Sequence, residues 1–137
     1  MLGGGAQRMI KRSRYRLSNR WGDKNMKRYA LGRLKSGSMN NTERDYSEHL
    51  MFRKIGGEVA WFKFEGLKFR LADNTFYTPD FAVMLADGQL EAHEVKGHWE
   101  DDARAKIKIA ADMYPIKFIA VMKRSKKEGG GWAFEEF

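Results

Sequence analysis

The sequence predicts an α/β domain in which helices flank a mixed β-sheet, preceded by a basic N-terminal arm. Three observations lead to this prediction. From residue 41 onward, helical and strand-like hydrophobic patterns follow one another as helix, several strands, helix, strand and strand, which includes the core order α-β-β-β-α-β. The chain has 137 residues, 42% of them hydrophobic, which suits one folded domain with a modest core. Its positive charge is concentrated near the N-terminus.

The basic excess belongs to the N-terminal arm, residues 1–40. This arm has 11 Lys or Arg and one acid, Asp23, whereas residues 41–137 have 15 Lys or Arg and 17 Asp or Glu. Such a block is typical of a segment that contacts a polyanion, and a solvated tail without a specific partner is the alternative. Residues 21–34 form a candidate helix within the arm. The arm residues that we expect to contact the polyanion are Arg12, Arg14, Arg16, Lys27 and Arg28.

The composition also excludes several classes of protein. The chain has no cysteine, so disulfides, thiolate nucleophiles and Cys-ligated metal centres are excluded, and a reducing cytoplasm is the expected location. No apolar run in the sequence approaches the length that spans a membrane, and no signal-peptide pattern is visible at the N-terminus. We therefore expect a cytoplasmic protein without a membrane partner.

The elements of the domain follow from turn and capping signals. Asn41 or Thr42 is a good N-cap for a helix that should end near Ile55, before two glycines. A second helix should cover residues 100–113 and end before Pro115. Strand patterns occur in six segments: 59–64, 67–71, 76–85, 89–96, 116–122 and 132–137. A flexible loop is expected over residues 123–131.

The strongest functional signal is Asp80, followed after thirteen residues by Glu94-Val95-Lys96. Glu94 and Lys96 lie two apart on a predicted strand, so they project from the same face. If the hairpin turn centres on Asp87, paired residue numbers sum to 174, and Asp80 faces Glu94 with Cβ atoms roughly 4.5–5.5 Å apart. A two-residue turn would instead pair Asp80 with Val95 and direct it to the other face.

Two carboxylates at this separation repel each other unless one is protonated or a cation lies between them. Mg²⁺ suits the position, because it binds few protein carboxylates and keeps several waters. It would lower the pKa of a bound water and neutralise charge on a phosphate. Lys96 would orient or deprotonate the nucleophile, or stabilise developing charge. The alternative is a surface salt bridge of Glu94 with Lys96, with Asp80 capping a turn.

Asp80 with Glu94-Val95-Lys96 resembles the signature of the PD-(D/E)XK nuclease superfamily. The segments 76–81 and 94–102 also resemble the junction-resolving endonucleases of short-tailed phages and small phage endonuclease-like proteins. The resemblance covers residues 42–121 and leaves out the arm. It implies a restriction-endonuclease-like core and Mg²⁺-dependent DNA hydrolysis that leaves 5′-phosphate and 3′-hydroxyl ends, with Mn²⁺ able to replace Mg²⁺. It further implies branched DNA such as Holliday junctions as substrate, a homodimer, and the host cytoplasm for a phage-encoded protein.

The same resemblance implies roles for individual residues. Asp80, Glu94 and the backbone carbonyl of Val95 would bind the metal, and Lys96 would be catalytic. The family uses a further glutamate on the helix before the sheet. Glu43 matches it by position and would serve catalysis or a second metal ion, with Glu48, on another helix face, as the rival.

Several basic residues of the domain are candidate DNA contacts. His98 lies at the edge of the motif, and Arg104 and Lys108 are four apart on one face of the second helix. A basic loop follows the strand 116–122. Solvated basic faces are the alternative for all of these. The candidates are His98, Arg104, Lys108, Lys123, Arg124, Lys126 and Lys127.

Three other functions remain open from the sequence. One is a nuclease that cuts ordinary duplex or nicked DNA rather than branched DNA. The second is a DNA-binding module that has a nuclease-like fold but no catalytic activity. A structural or regulatory protein that binds an acidic partner through the arm is the third.

Overall fold

The computed structural model describes residues 37–97 and 101–137. The arm predictions, namely the candidate helix 21–34 and the contacts Arg12, Arg14, Arg16, Lys27 and Arg28, lie outside the described residues. His98 lies outside them as well. None of the described helices is both long and apolar enough to cross a lipid bilayer.

The described residues form two helices and seven strands. A short 3₁₀ turn, Lys126–Glu128, lies between the last two strands. The elements are α1 (Asn41–Ile55), β1 (Val59–Phe64), β2 (Phe69–Ala72), β3 (Thr75–Tyr77), β4 (Phe81–Leu85), β5 (Leu90–Lys96), α2 (Asp101–Met113), β6 (Lys117–Lys123) and β7 (Trp132–Glu136).

Five strands form a mixed sheet in the order β1-β4-β5-β6-β7. Strands β5 and β6 are parallel, because α2 crosses between them, and the other neighbours are antiparallel. Strands β2 and β3 form a separate hairpin. The prediction of an α/β domain with a mixed sheet and two helices is confirmed. Without the small hairpin, the elements follow the predicted core order α-β-β-β-α-β, and β7 corresponds to the predicted last strand, 132–137.

The predicted strand 76–85 is wrong as a single strand. It divides into β3 and β4, which belong to different sheets. The break falls at Thr78-Pro79, because proline has no N–H to donate to a strand ladder. The predicted loop 123–131 is also shorter than expected, since β6 includes Lys123 and residues 126–128 form a turn.

The core lies on both faces of the sheet. Tyr46 and Leu50 of α1 are buried against Val83 and Val95 of β4 and β5. On the opposite face, Ile107 and Ala110 of α2 are buried with residues of the small hairpin and of β5 and β6: Phe69, Leu71, Tyr77, Ala92 and Phe118. Strand β5 is therefore covered on both sides, and its alternate residues reach different layers.

Candidate active site

The hairpin of β4 and β5 has the register that the candidate site requires. Phe81 pairs with His93 and Met84 with Leu90, so paired residue numbers sum to 174. The turn holds three residues, 86–88, closed by a hydrogen bond from the Leu85 amide to the Gln89 carbonyl at 2.8 Å. The prediction of an odd loop centred on Asp87 is confirmed. Continuing this register by one residue brings Asp80 opposite Glu94.

Asp80 is fixed at the start of β4 by backbone and side-chain contacts. Its Oδ2 accepts a hydrogen bond from the Val95 amide at 2.7 Å. Its own carbonyl accepts one from the Glu65 amide, also at 2.7 Å. Its second carboxylate oxygen, Oδ1, has no hydrogen-bond partner among residues 37–97 and 101–137. The carboxyl group therefore lies against the end of β5 with one oxygen available to a further ligand.

Glu94 is a buried carboxylate with two donors. The Lys96 Nζ lies 2.8 Å from its Oε1, and the Tyr77 hydroxyl donates to its Oε2 at 2.9 Å. Glu94 is only 7% exposed, so its pair with Lys96 is not the surface salt bridge of the alternative interpretation. Glu94 and Lys96 share one face of β5, as their spacing predicts, and β3 supplies the tyrosine from outside the hairpin.

The negative charges at this position act on one another. Burial, followed by the charge of Glu94, raises the pKa of Asp80 to about 8, although the Val95 amide and Lys96 lower it. Burial, then Glu94, also raises the pKa of Tyr77 well above its usual range, so this hydroxyl stays protonated as a donor. Lys96 does not fully offset the two carboxylates. The site thus favours an additional cation, or a proton on Asp80.

Glu43 joins this charge cluster from the N-terminus of α1. Its charge is among those that raise the pKa of Asp80. It also forms a capping box with Asn40: its amide donates to the Asn40 Oδ1, and its Oε2 accepts from the Asn40 amide, each at 2.8 Å. The N-cap is therefore Asn40, and the prediction of Asn41 or Thr42 is wrong by one or two residues. Glu48 is exposed on α1. The geometry favours Glu43 over Glu48.

Two of the predicted DNA contacts are engaged within the domain. Arg104 forms an ion pair with Glu135 of β7 and lies over the Phe137 ring, 5.4 Å from its centroid. Lys123 forms an ion pair with Asp45 of α1. Both pairs are partly exposed, so breaking either of them costs no more than about 1 kcal/mol.

The remaining basic candidates of the described domain are exposed. Lys108 lies on α2, one turn after Arg104. The others follow β6 in chain order, on both sides of the turn that precedes β7: Arg124, Lys126 and Lys127. No ligand-specific geometry distinguishes them from a solvated basic surface.

Tyr77 is the site residue that the sequence interpretation missed. It immediately precedes Thr78-Pro79, but it belongs to β3, whose partner is β2 and not β5. No register argument along the β4–β5 hairpin could place its hydroxyl on Glu94. The only available signal was a polar aromatic residue three positions before Asp80.

The donor set fits a hard divalent cation that keeps most of its water. Among residues 37–97 and 101–137, no group of three or more His, Asp or Glu side chains lies close enough together to hold a metal ion. The site instead offers two carboxylates, Asp80 and Glu94, beside the backbone of Val95. Mg²⁺ usually binds few protein oxygens and keeps several waters.

Comparisons of the chain with protein-family models, with curated proteins and with solved structures find no match.

Proposed function

We propose that this protein is a metal-dependent DNA endonuclease with a restriction-endonuclease-like core. It hydrolyses phosphodiester bonds of branched DNA, such as Holliday junctions, and leaves 5′-phosphate and 3′-hydroxyl ends. The observation that carries this proposal is the convergence of Asp80, Glu94 and Lys96 at the end of β5. The Asp80 carboxylate accepts a hydrogen bond from the Val95 amide at 2.7 Å, and the Lys96 Nζ lies 2.8 Å from the Glu94 carboxylate. An acidic cluster with its own ammonium group suits a metal beside a phosphate.

Asp80 Oδ1, Glu94 and the carbonyl of Val95 would hold Mg²⁺, with Mn²⁺ as a substitute. The bound ion would lower the pKa of a water and neutralise charge on the scissile phosphate. Glu43 would orient water or support a second ion. Lys96 as an ammonium group would stabilise charge that develops on the reacting phosphate. As a neutral amine it would instead accept a proton from the nucleophile. Tyr77 holds Glu94 in place.

Several basic segments would contact the DNA. The basic arm supplies attraction that does not depend on sequence, with Arg104, Lys108 and the basic residues around the 3₁₀ turn as further phosphate contacts. A junction needs two symmetric cuts, so we propose a two-fold homodimer. The preference for branched DNA rests on the resemblance of the two motif segments to junction-resolving endonucleases.

The test compares the wild type with three variants on supercoiled, linear and four-way-junction DNA, with Mg²⁺ or with chelator. Asp80→Asn and Lys96→Met should reduce cleavage by at least about a hundredfold while retaining DNA binding. Asp112→Asn, which alters an exposed acid on α2, is the matched control and should cut normally. Cleavage that survives both site substitutions would contradict the proposed site. Tight binding by the wild type without any cutting would support the non-catalytic DNA-binding module.

A further inference from the structure

A cleft of about 350 Å³ opens beside Glu94. Its walls come from β3 with the residue after it and from the first turns of α2. The volume lies within the range of small-ligand pockets, roughly 300–1,000 Å³. Because Glu94 is part of the wall, anything bound in the cleft lies directly next to the proposed reaction centre. The lining residues used below are Phe76, Glu94, Asp102, Ala103 and Lys106.

Phe76 is the aromatic wall of this cleft. Along β3 the side chains alternate, so that Tyr77 is buried under α2 whereas Phe76 is 44% exposed. The Lys68 Nζ lies over its ring, 4.5 Å from the centroid. A single exposed aromatic residue is ordinary in itself. The ammonium group occupies one face of the ring, so a planar base would stack on the other face and have a cation nearby for its phosphate.

The opposite wall suits the same ligand. Ala103 is small and leaves space for a flat ring between α2 and Phe76. Asp102 and Lys106 lie four residues apart on one face of α2. Lys106 carries the charge that a phosphate requires, and Asp102 is an acceptor for an exocyclic amino group of a base. The cleft therefore combines stacking, an acceptor and a cation within the dimensions of one nucleotide.

We propose that this cleft is a subsite for one unpaired nucleotide next to the scissile phosphate, with the base stacked on Phe76 and the phosphate held by Lys106 and Lys68. A base within an intact duplex is stacked on its neighbours and cannot turn its face to Phe76. The subsite therefore selects DNA with an unpaired nucleotide beside the cleavage position. This inference rests on the proposed endonuclease function for the identity of its neighbouring centre.

The test uses the full-length protein in chelator, so that binding is measured without cleavage. The probe is a duplex with one unpaired 2-aminopurine at its centre, beside a fully paired duplex of the same sequence. Wild-type protein should change the 2-aminopurine fluorescence on binding. Phe76→Ala should abolish that change and weaken binding to the unpaired probe by about tenfold. Its binding to the paired duplex should change less than twofold.

Two further variants make the outcome specific. Phe76→Trp should restore stacking, whereas Phe52→Ala, which removes a 72% exposed phenylalanine from α1, should behave like the wild type. Equal losses on both probes, or identical behaviour of the Phe76 and Phe52 variants, would overturn the subsite. Failure of the proposed function looks different: the wild type would cut no DNA in Mg²⁺ although the fluorescence response was intact. Cleavage that is unchanged by substitution of Phe76 would reject the subsite and leave the proposed endonuclease function standing.

Discussion

Replacing Asp80 by Asn should stabilise the metal-free protein at and above pH 7. Burial and the charge of Glu94 raise the pKa of Asp80 from an ordinary 3.8 to about 8. Between these two values the folded state keeps a proton that the unfolded state has released. The stabilising contribution of that proton is complete below pH 4 and is lost as the pH rises through 8. Asn resembles the protonated acid at every pH, so its variant should not show this loss.

The magnitude follows from the size of the shift. One proton changes the free energy of unfolding by about 1.4 kcal/mol per pH unit, which sets an upper limit of about 6 kcal/mol over the whole interval. Asp80 is partly exposed, so the realised effect is smaller. We expect the wild type to lose about 2–3 kcal/mol between pH 5 and pH 8 that the variant retains. The Asn carbonyl can still accept from the Val95 amide.

Urea unfolding in chelator at pH 5, 6, 7 and 8 measures this difference directly. The control is Asp112→Asn, which removes an exposed acid of α2. Its stability should follow that of the wild type at all four pH values. Parallel pH profiles for Asp80→Asn and the wild type would refute the reasoning, because they would mean that Asp80 has an ordinary pKa. A variant less stable than the wild type at pH 8 would refute it more strongly.

Two other predictions concern the same cluster. Mg²⁺ should raise the melting temperature of the wild type but not of Asp80→Asn. The apparent affinity of the wild type for Mg²⁺ should increase by up to about tenfold per pH unit below pH 8, because binding displaces the Asp80 proton. An affinity that does not change with pH in calorimetry would contradict this. Tyr77→Phe removes the hydroxyl donor that lies 2.9 Å from the buried Glu94 Oε2. The variant should lose about 1.5–3 kcal/mol of stability in urea unfolding, and its cleavage should fall more than its DNA binding. Unchanged unfolding and cleavage would show that Glu94 does not depend on the Tyr77 hydroxyl.

Local rules were sufficient to predict the hairpin that carries the site. The alternation of β5 and the turn at Asp87 determine that Asp80 and Glu94 meet, because a strand has a period of two and the loop length sets the register. The helix bounds followed from capping chemistry to within one or two residues at Asn40. These features depend on neighbours in sequence, which is why they could be predicted without a structure.

The parts of the site that the sequence did not predict depend on contacts between distant elements. Tyr77 reaches Glu94 because the β2–β3 hairpin packs under α2, and no local pattern encodes that packing. Arg104 and Lys123 looked like free basic residues, but their partners, Glu135 and Asp45, are far away in the chain. Ion pairs of this kind require the tertiary fold to be known.

Strand β5 has polar side chains on both of its faces, and the polar groups on the two faces differ in how fully they are hydrogen-bonded. Toward α1, His93 is bonded on both ring nitrogens, to the Tyr46 hydroxyl at 2.7 Å and to Glu91 at 2.8 Å. Both of these partners are themselves buried, so this chain of hydrogen bonds holds α1 to the sheet. On the other face, beside Glu94, Asp80 has one carboxylate oxygen without a hydrogen bond to residues 37–97 or 101–137, and its pKa is raised to about 8. An acidic group in that condition adds no stability at neutral pH, and the proposed metal site would make use of it.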